Sequence, residues 1–255
     1  IIPVAGEGSR FIKAGFRTPK PLLFYDKHLL IEHSFFCMPK SKKNIIISRL
    51  NKFYEKKIFQ KLKNNLEKLE VINLSHSTKG QLNSCLAASK SLNKTDSVLI
   101  SSCDYSLHYD ESSWLKCKDD KEVDVYIWTN KLKSTPIKSY DAFAYCQIDD
   151  NNNVKKIIEK KTLSNTPWLD PMVVGTFWFR NWNSFLEMNE EVIKKGSFNN
   201  TKEIFIGANI NYLIKKGLKV KCFWVDRWIS YGDPFEYEMI HYWSEYFRDT
   251  KVYEK

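Results

Sequence analysis

The sequence predicts an α/β protein in which a mixed, mainly parallel sheet is flanked by helices, and three observations indicate this fold. Short apolar runs rich in β-branched residues recur through the first half, as in IIPVA at 1–5 and NIIIS at 44–48. Segments with a helical spacing of apolar residues alternate with these runs. Glycine or polar turns separate the two kinds of element. Strands that alternate with helices form a Rossmann-like sheet, and ligands bind at the carboxyl ends of its strands.

The elements predicted in the first half follow the chain in a simple order. The helix over 51–66 carries Phe53, Ile58 and Leu62 on one face, and the helix over 80–92 begins after a glycine turn. The strand over 96–104 ends in an acidic residue. The remaining strands are predicted at 1–5, 44–48, 69–74 and 122–130.

The pattern changes after residue 135, where the sequence predicts a smaller portion that is rich in β-structure. The polar stretch DNNN separates two strand-like segments, 140–149 and 153–159, which is typical of a hairpin. Because no repeat or low-complexity linker divides the chain, we expect one domain over 1–255, with halves at 1–130 and 131–255. Further strands are predicted at 170–180 and 218–225, and further helices at 181–196, 202–217 and 234–247.

The charge of the chain favours an anionic partner such as a nucleotide or a phosphorylated metabolite. The formal net charge is +10 at neutral pH, and the pI is about 9.1. Much of the excess comes from scattered lysines, as along 56–70, where they also fit a solvated helix face. Basic and aromatic residues are not interleaved as they are on nucleic-acid-binding surfaces, so we expect no nucleic-acid partner.

The cysteines and the apolar runs bear on the kind of compartment. The six cysteines are widely spaced, with no C-x-x-C pair and no cluster with histidine, so zinc and dithiol redox sites are not predicted. Isolated thiols suit a reducing compartment, and we expect a cytoplasmic enzyme. No apolar run approaches the length of a membrane span, so we expect no membrane insertion.

The stretch after the first strand, VAGEGSRFIKAGFRTPKPLL at 4–23, combines glycines with basic residues. It lacks the Gly-Lys-Ser/Thr ending of a Walker A loop, and the dinucleotide-binding fingerprint fails at its last glycine. Gly6 and Gly8 have no Cβ, so backbone N–H groups there can approach phosphate oxygens. Arg10 and Lys20 supply positive charge, and prolines on both sides of Lys20 stiffen the segment that carries it. The stretch therefore predicts a phosphate-holding loop; the alternative is a surface turn with incidental charges.

Two motifs in this stretch, GEGSRF and PKPLL, resemble the G-x-G-S/T-R-[FLM] and P-K-P/Q-L motifs of the nucleotidyltransferase family. That family includes sugar-1-phosphate nucleotidyltransferases and cytidylyltransferases. The likeness continues through TKGQLNSCLAA, VLISSCD, VKKIIEKK, VVGTFWF and WISYGDPFEYE, so it covers most of the chain. It implies the nucleotide-diphospho-sugar transferase-like fold, with a nucleotide-binding first half and a smaller acceptor-binding second half.

The resemblance implies a role for each matching residue. Arg10 would bind the β- and γ-phosphates, and Lys20 would neutralise charge at the α-phosphate. Asp104 would hold Mg²⁺, although an acid at the end of a strand also often caps the next turn. Lys160 would meet the phosphate of the acceptor, with Glu159 as a positioning residue beside it. The residues expected to contact the nucleotide are Ala5, Gly6, Gly8, Ser9, Gly80, Gln81 and Ser102.

The family's second metal-binding aspartate has no direct match in this sequence. Its position in the W-x-D-x-G motif is occupied by Ser230, and both Asp226 and Asp233 lie close by in the chain. We predict Asp226 as the second metal ligand, and Asp233 is the alternative.

Two further departures lie on the acceptor side: Asp141 follows Tyr140 where sugar enzymes often have glycine, and Lys161 replaces the proline of Glu-Lys-Pro. They weaken the interpretation as a sugar enzyme. The shortened, modified ending resembles phosphocholine-type and MobA-like cytidylyltransferases. This implies transfer of CMP from CTP to a small phosphorylated acceptor, such as L-glutamine phosphate in bacterial capsule precursor synthesis, with release of pyrophosphate. The alternatives are a sugar-1-phosphate nucleotidyltransferase, a phosphocholine cytidylyltransferase and an inactive nucleotide-binding regulatory module.

Overall fold

The computed structural model describes residues 1–133, 137, 139–198 and 203–249. Helices pack against a central mixed sheet, which confirms the α/β fold predicted from the sequence. The strands are β1 (Ile2–Val4), β2 (Phe24–Tyr25), β3 (His28–Leu29), β4 (Asn44–Ser48), β5 (Leu69–Asn73), β6 (Val98–Ile100), β7 (Tyr105–His108), β8 (Val125–Asn130), β9 (Ala144–Ile148), β10 (Val154–Glu159), β11 (Met172–Phe179), β12 (Val220–Trp224) and β13 (Arg227–Ser230). The α-helices are α1 (Ser9–Lys13), α2 (Leu30–Phe36), α3 (Lys52–Leu62), α4 (Gln81–Cys85), α5 (Glu111–Asp119), α6 (Trp182–Lys195), α7 (Ile206–Lys215) and α8 (Pro234–Asp249).

The parallel part of the sheet lies in the first half of the chain. β1, β4 and β5 pair in parallel, with β4 in the middle. The N-terminal ammonium group of Ile1 donates to the Leu99 carbonyl at 2.7 Å, and the Ser101 N–H donates to the Ile1 carbonyl at 3.0 Å. Ile1 thus bonds to the residues on both sides of Ile100, which is the hydrogen-bond pattern of parallel strands. β6 therefore continues the sheet beside β1. The carboxyl ends of these strands therefore lie at one edge.

β11 gives the sheet its mixed character, because it runs antiparallel to both β6 and β8. β12 pairs in parallel with β8 and closes the sheet, as predicted. β9 and β10 form the hairpin predicted around DNNN, and this hairpin meets β11 at the pair of Tyr145 and Met172. The direction of β11 was not predicted, because strand periodicity shows that a segment is extended but not which way it runs in the sheet.

A two-stranded antiparallel ribbon of β7 and β13, absent from the sequence-based prediction, joins distant parts of the chain. Ser230 pairs with Tyr105, and the Tyr231 N–H donates to the Asp104 carbonyl at 2.9 Å. The ribbon therefore holds the segment before α8 next to the end of β6.

Some elements differ from their predicted extent. The predicted helix over 80–92 is α4 followed by a 3₁₀ turn over Leu86–Ser91. α2 and α5 lie in segments for which the sequence predicted no element. The predicted start of a helix at 202 lies outside the described residues, and α7 begins at Ile206.

The core contains apolar residues from both halves of the chain. One buried cluster extends from Ile45 on β4 to Cys222 on β12, and a second contains Trp114, Trp128 and Trp178. All six cysteines are free thiols. In the described parts of the chain, no helix combines the length and the apolar character needed to cross a membrane.

Candidate active site

The glycine-containing loop connects β1 to α1 at the carboxyl edge of the parallel strands. Gly8 has a φ of 63°, a left-handed conformation that glycine adopts without strain. A Cβ built at Gly6 or Gly8 would have no neighbour within 4 Å, so the loop faces open space. Glu7 is held by Arg49, which follows β4, at 3.6 Å between Oε1 and Nη2. The loop therefore contacts the segment after β4 through this ion pair and is open to solvent, with Arg10 exposed beside it.

Lys20 begins a short 3₁₀ turn between the two prolines noted in the sequence. The turn is anchored, because Leu22 is buried in the core. The Lys20 Nζ lies 3.2 Å from Asp104 Oδ2 and 5.9 Å from the centre of the Phe11 ring. The Phe11 N–H donates to the Gly8 carbonyl at 2.9 Å. The glycine loop, the ammonium group and the carboxylate are thus linked by direct contacts.

The electrostatics of the Lys20–Asp104 pair favour its charged form. Burial alone would lower the pKa of Lys20, but the Asp104 carboxylate outweighs burial and raises this pKa above its ordinary value of 10.5. Burial alone would raise the pKa of Asp104, but the Lys20 ammonium and a hydrogen bond from Ser102 lower it below the ordinary 3.8. The two side chains are 17% and 32% exposed, so the pair is accessible from solvent.

The stability contributed by this pair is expected to be constant between about pH 5 and 9. The lowered pKa of Asp104 means that its contribution is complete above 3.8 and is lost as the pH falls through the folded-state value. The raised pKa of Lys20 means that its contribution is complete below 10.5 and is lost as the pH rises through the folded-state value. The measurement is the difference in unfolding free energy between the wild type and Lys20→Met, by urea denaturation at several pH values. A step in this difference near neutral pH would contradict the expectation.

A buried cluster of hydroxyl groups supports the turn that carries Asp104. The Tyr105 hydroxyl lies 2.7 Å from Thr176 Oγ1 and 3.0 Å from Ser101 Oγ, and it accepts from the Ser102 N–H at 3.3 Å. These bonds hold the backbone between β6 and β7. Because buried and mutually satisfied polar groups are rigid, the carboxylate of Asp104 is held at the end of β6.

Gly80, directly before α4, packs against the segment that precedes α7. Its φ is 146°, and an added Cβ would lie 2.6 Å from both the backbone N and the backbone O of Ile204. The Ile204 N–H donates to the Lys79 carbonyl at 2.9 Å, and the Leu82 N–H donates to the Ile204 carbonyl at 3.2 Å. Gly80 therefore has a packing role in this structure, and the half-buried Gln81 begins α4 directly after it.

Replacing Gly80 by alanine is expected to lower the free energy of unfolding by about 3 kcal/mol. The new methyl group would meet backbone atoms of Ile204, and the φ is one that L-residues rarely adopt. Urea unfolding followed by circular dichroism measures the change. Gly6→Ala is the matched control, with a change within about 0.5 kcal/mol, because its methyl group would enter open space. A Gly80→Ala variant as stable as the wild type would mean that the Ile204 segment moves aside at little cost.

Glu159 and Lys160 lie against the start of α7. The Ala208 N–H donates to Glu159 Oε1 at 3.0 Å, whereas Oε2 is buried and has no hydrogen-bond partner among the described residues. Burial raises the pKa of Glu159 above its ordinary value, and the Ala208 N–H and the Lys160 charge offset this effect only in part. The Lys160 side chain is exposed, with Nζ 5.3 Å from the centre of the Phe205 ring. The segment before α7 therefore contacts both α4 and this pair.

The structure does not bring Asp226 to Asp104. Asp226 lies between β12 and β13, is exposed, and donates its N–H to the His108 carbonyl at 2.8 Å. His108 ends β7, whereas Asp104 immediately precedes this strand. Because β7 and β13 run antiparallel, Ser230 lies at the Asp104 end of the ribbon and Asp226 at the opposite end.

Glu236, which the sequence analysis did not single out, provides the carboxylate next to Ser230. Ser230 Oγ donates to Glu236 Oε2 at 2.6 Å, and the N–H groups of Gly232 and Asp233 donate to the same oxygen at 3.1 and 3.2 Å. The Glu236 N–H donates to Asp233 Oδ1 at 3.0 Å, which completes a capping box at the start of α8. The D-x-x-E spacing before the terminal helix was the sequence signal for this arrangement.

The predicted site residues form two groups in space, and one residue lies apart from both. The first group surrounds the opening loop and the end of β6, and it contains Ala5, Gly6, Gly8, Ser9, Arg10, Lys20, Ser102 and Asp104. The second group surrounds the segment before α7, and it contains Gly80, Gln81, Glu159 and Lys160. Asp226 belongs to neither group.

Comparison with protein families gives a match over almost the whole chain. A family profile described as nucleotidyl transferase matches residues 1–244. None of the curated proteins matches this chain in sequence.

Solved structures share the fold at low sequence identity. A nucleoside-diphosphate-sugar pyrophosphorylase from Vibrio cholerae RC9 has a TM-score of 0.78 and 22% identity, over 94% of this chain and 99% of that one. An inositol-1-phosphate CTP transferase from T. maritima has a TM-score of 0.70 and 15% identity, over 94% of this chain and 93% of that one. At these identities the likeness shows the fold, which is that of the nucleotide-diphospho-sugar transferases.

Proposed function

This chain belongs to the nucleotidyl transferase family, and from that premise we propose that it transfers CMP from CTP to a small phosphorylated acceptor and releases pyrophosphate. The observation that carries the proposal is the Lys20–Asp104 pair at the open side of the glycine loop. A glycine-containing loop lies beside an anchored ammonium group and a carboxylate, whose charged atoms are 3.2 Å apart. These groups are the ones that a triphosphate and its cation require.

The proposed reaction joins two anions, so alignment and neutralisation of charge are its main demands. An oxygen of the acceptor phosphate attacks the α-phosphorus of CTP. The bond from this phosphorus to the bridging oxygen breaks, and pyrophosphate leaves with the electron pair. Lys20 would stabilise the charge at the α-phosphate, and Arg10 would hold the β- and γ-phosphates. The backbone of Gly6 and Gly8 would contact phosphate oxygens, because no side chain stands in the way.

Mg²⁺ fits the groups around Asp104. It prefers oxygen ligands and takes one or two carboxylates from a protein when a nucleotide supplies the other oxygens. An added Cβ at Gly232 would lie 3.7 Å from Asp104 Oδ2, so this glycine leaves space in front of the carboxylate. The described residues contain no group of three or more His, Cys, Asp or Glu side chains placed to hold a metal ion. When bound, the ion would neutralise part of the triphosphate charge.

We propose that the acceptor binds at Lys160 and Glu159, where an exposed ammonium group lies beside a buried carboxylate oxygen that has no hydrogen-bond partner in the described part of the chain. The Thr162 N–H donates to Asp141 Oδ1 at 3.2 Å, so the aspartate that stands in place of a glycine is tied to the chain that follows Lys160. The narrower resemblance is to the CTP:phosphoglutamine cytidylyltransferase of capsular phosphoramidate biosynthesis. L-glutamine phosphate is therefore the first acceptor to test, with CDP-L-glutamine as the product.

The test is pyrophosphate release in the presence of Mg²⁺, with each nucleoside triphosphate combined with L-glutamine phosphate, phosphocholine or glucose 1-phosphate. We expect turnover with CTP and a small phosphorylated acceptor, and mass spectrometry identifies the product. Turnover of UTP or dTTP with glucose 1-phosphate would replace the proposal with a sugar-1-phosphate nucleotidyltransferase. CTP binding without pyrophosphate release, across all acceptors, would indicate a regulatory module.

Replacing Glu159 by glutamine is expected to raise the KM for the acceptor about tenfold and to leave the KM for CTP within about twofold. The glutamine oxygen still accepts from the Ala208 N–H, but the carboxylate charge beside the proposed acceptor position is lost. Stability is not expected to fall at neutral pH. Burial raises the pKa of Glu159, so its charged form opposes folding until the pH falls through the folded-state value.

Steady-state kinetics and urea unfolding at pH 7 measure both effects. Glu190→Gln, on the exposed face of α6, is the matched control and is expected to change neither. An unchanged acceptor KM in Glu159→Gln would move the acceptor away from this carboxylate.

A further inference from the structure

The Tyr105 side chain lies directly behind the turn that carries Asp104 and is 3% exposed, so it cannot itself contact a substrate. We propose that Tyr105 is a positioning residue, whose hydroxyl fixes the backbone of Ser102 and thereby the placement of the Asp104 carboxylate against Lys20. The inference rests on the proposed function and deepens it, because Asp104 and Lys20 are the charges that carry that function.

The Tyr105 hydroxyl has three partners, and one of them depends on it. Thr176 Oγ1 and Ser101 Oγ lie 2.7 and 3.0 Å from it, but these two hydroxyls are 3.2 Å apart and can also bond to each other. The Ser102 N–H donates to the Tyr105 hydroxyl at 3.3 Å, and the described residues offer it no second acceptor. Loss of this hydroxyl would therefore leave the Ser102 N–H unsatisfied within the protein.

Ser102 is linked in turn to Asp104. A hydrogen bond from Ser102 helps to lower the pKa of the Asp104 carboxylate. The Tyr231 N–H donates to the Asp104 carbonyl at 2.9 Å, and Ser34 Oγ donates to the Tyr105 carbonyl at 3.4 Å. The turn is thus held at both of its ends. Because it is so short, a shift of Ser102 would move the carboxylate that faces Lys20.

A glycine in β11 makes room for the Tyr105 ring. Gly175 has a φ of 94°, and an added Cβ would lie 3.3 Å from Tyr105 Cε1 and 3.4 Å from its hydroxyl oxygen. The register between β11 and β8 shifts between Val173 and Phe177, which marks a bulge around this glycine. The bulged strand therefore lets the ring approach closely and brings Thr176 to its hydroxyl.

A role in core packing alone would require the ring of Tyr105 but not its hydroxyl. Phenylalanine would fill the same space beside Gly175, and the hydroxyls of Ser101 and Thr176 would still have each other as partners. The bond to the Ser102 N–H is what phenylalanine cannot make. The substitution Tyr105→Phe therefore separates positioning of the turn from packing of the core.

The first measurement is pyrophosphate release, with the nucleotides and acceptors used to test the proposed function. Tyr105→Phe is expected to lower kcat about tenfold, because a slightly misplaced charge is costly in the transition state, and to leave the KM for CTP within about twofold. Tyr212→Phe is the matched control. It also removes a hydroxyl from a buried tyrosine, one that donates to the Gly196 carbonyl at 2.9 Å, and is expected to keep kcat within about twofold.

The second measurement is amide hydrogen exchange of the free protein, followed by nuclear magnetic resonance. In Tyr105→Phe, the Ser102 and Tyr231 N–H groups are expected to exchange at least about tenfold faster, because both report on the turn around Asp104. The Asp226 N–H, which donates to the His108 carbonyl at the opposite end of the β7–β13 ribbon, is the internal control and should keep its rate.

Each outcome has a defined meaning. An unchanged kcat in Tyr105→Phe overturns the inference and leaves the proposed function standing, and so does an unchanged exchange rate at Ser102. An equal loss of kcat in Tyr212→Phe, or equally faster exchange at Asp226, would show general loosening and also overturn the inference. A wild-type protein that releases no pyrophosphate with any pair of substrates contradicts the proposed function, whereas the exchange rates still test whether Tyr105 holds the turn.

Discussion

Replacing Lys20 by alanine is expected to reduce the rate of pyrophosphate release about a thousandfold. The Lys20 ammonium group is the cation in contact with Asp104, and a buried, proline-flanked turn holds it in place. In the proposed reaction this charge stabilises negative charge that develops at the α-phosphate, and water cannot replace a fixed cation in a partly closed site. The loss should therefore appear in kcat as well as in kcat/KM.

The fold should tolerate this substitution, because both side chains of the ion pair are partly exposed. The free energy of unfolding is expected to fall by about 1 kcal/mol. Lys13→Ala, at an exposed position of α1, is the matched control and should retain turnover within about twofold. A Lys20→Ala enzyme with near-normal turnover would remove Lys20 from the mechanism, whatever its stability.

Replacing Asp104 by asparagine is expected to reduce Mg²⁺-dependent turnover by about a hundredfold or more. Asparagine has nearly the same shape, so the turn between β6 and β7 and its hydroxyl cluster should remain intact. The carboxylate charge that would bind the cation in the proposed reaction is lost, and Lys20 loses the partner that raises its pKa. The residual activity should require a higher Mg²⁺ concentration for half-saturation.

Titration of Mg²⁺ at saturating CTP, for the wild type and for Asp104→Asn, measures this shift. Asp110→Asn is the matched control, because Asp110 caps α5 at an exposed position and asparagine caps equally well. An unchanged Mg²⁺ requirement in Asp104→Asn would mean that Asp104 serves the turn and the lysine, and that the cation is held elsewhere.

The elements of this protein are largely predictable from sequence, because their signals are local. β4, with the sequence NIIIS, is buried along its whole length and lies where its apolar run predicted a strand. The hairpin of β9 and β10 forms around DNNN because polar residues with turn propensity separate two strand-like segments. α2 and α5 were both missed. For α5 the reason is that it buries a single residue, Trp114, and has little amphipathic pattern.

The candidate site was predictable where local backbone chemistry defines it. The glycines of the opening loop and the prolines around Lys20 act within a few residues, and Asp104 ends a recognisable strand. The role of Gly80 was not predictable, because it depends on the backbone of Ile204, which lies far away in the chain. The contact between Glu159 and Ala208 depends on tertiary packing in the same way.

By itself, the sequence determined the α/β class, the glycine-containing loop after β1 and the placement of Lys20 on a stiff segment, because periodicity, glycine and proline act over a few residues. The tertiary structure alone decided which carboxylates lie near each other. Asp226 is close to Ser230 in sequence, yet the antiparallel register of β7 and β13 places it at the far end of the ribbon from Asp104. Glu236 lies six positions after Ser230 and still comes within 2.6 Å of it, because the turn into α8 folds the chain back. Proximity across strands depends on register and turn geometry, which separation along the chain does not reveal.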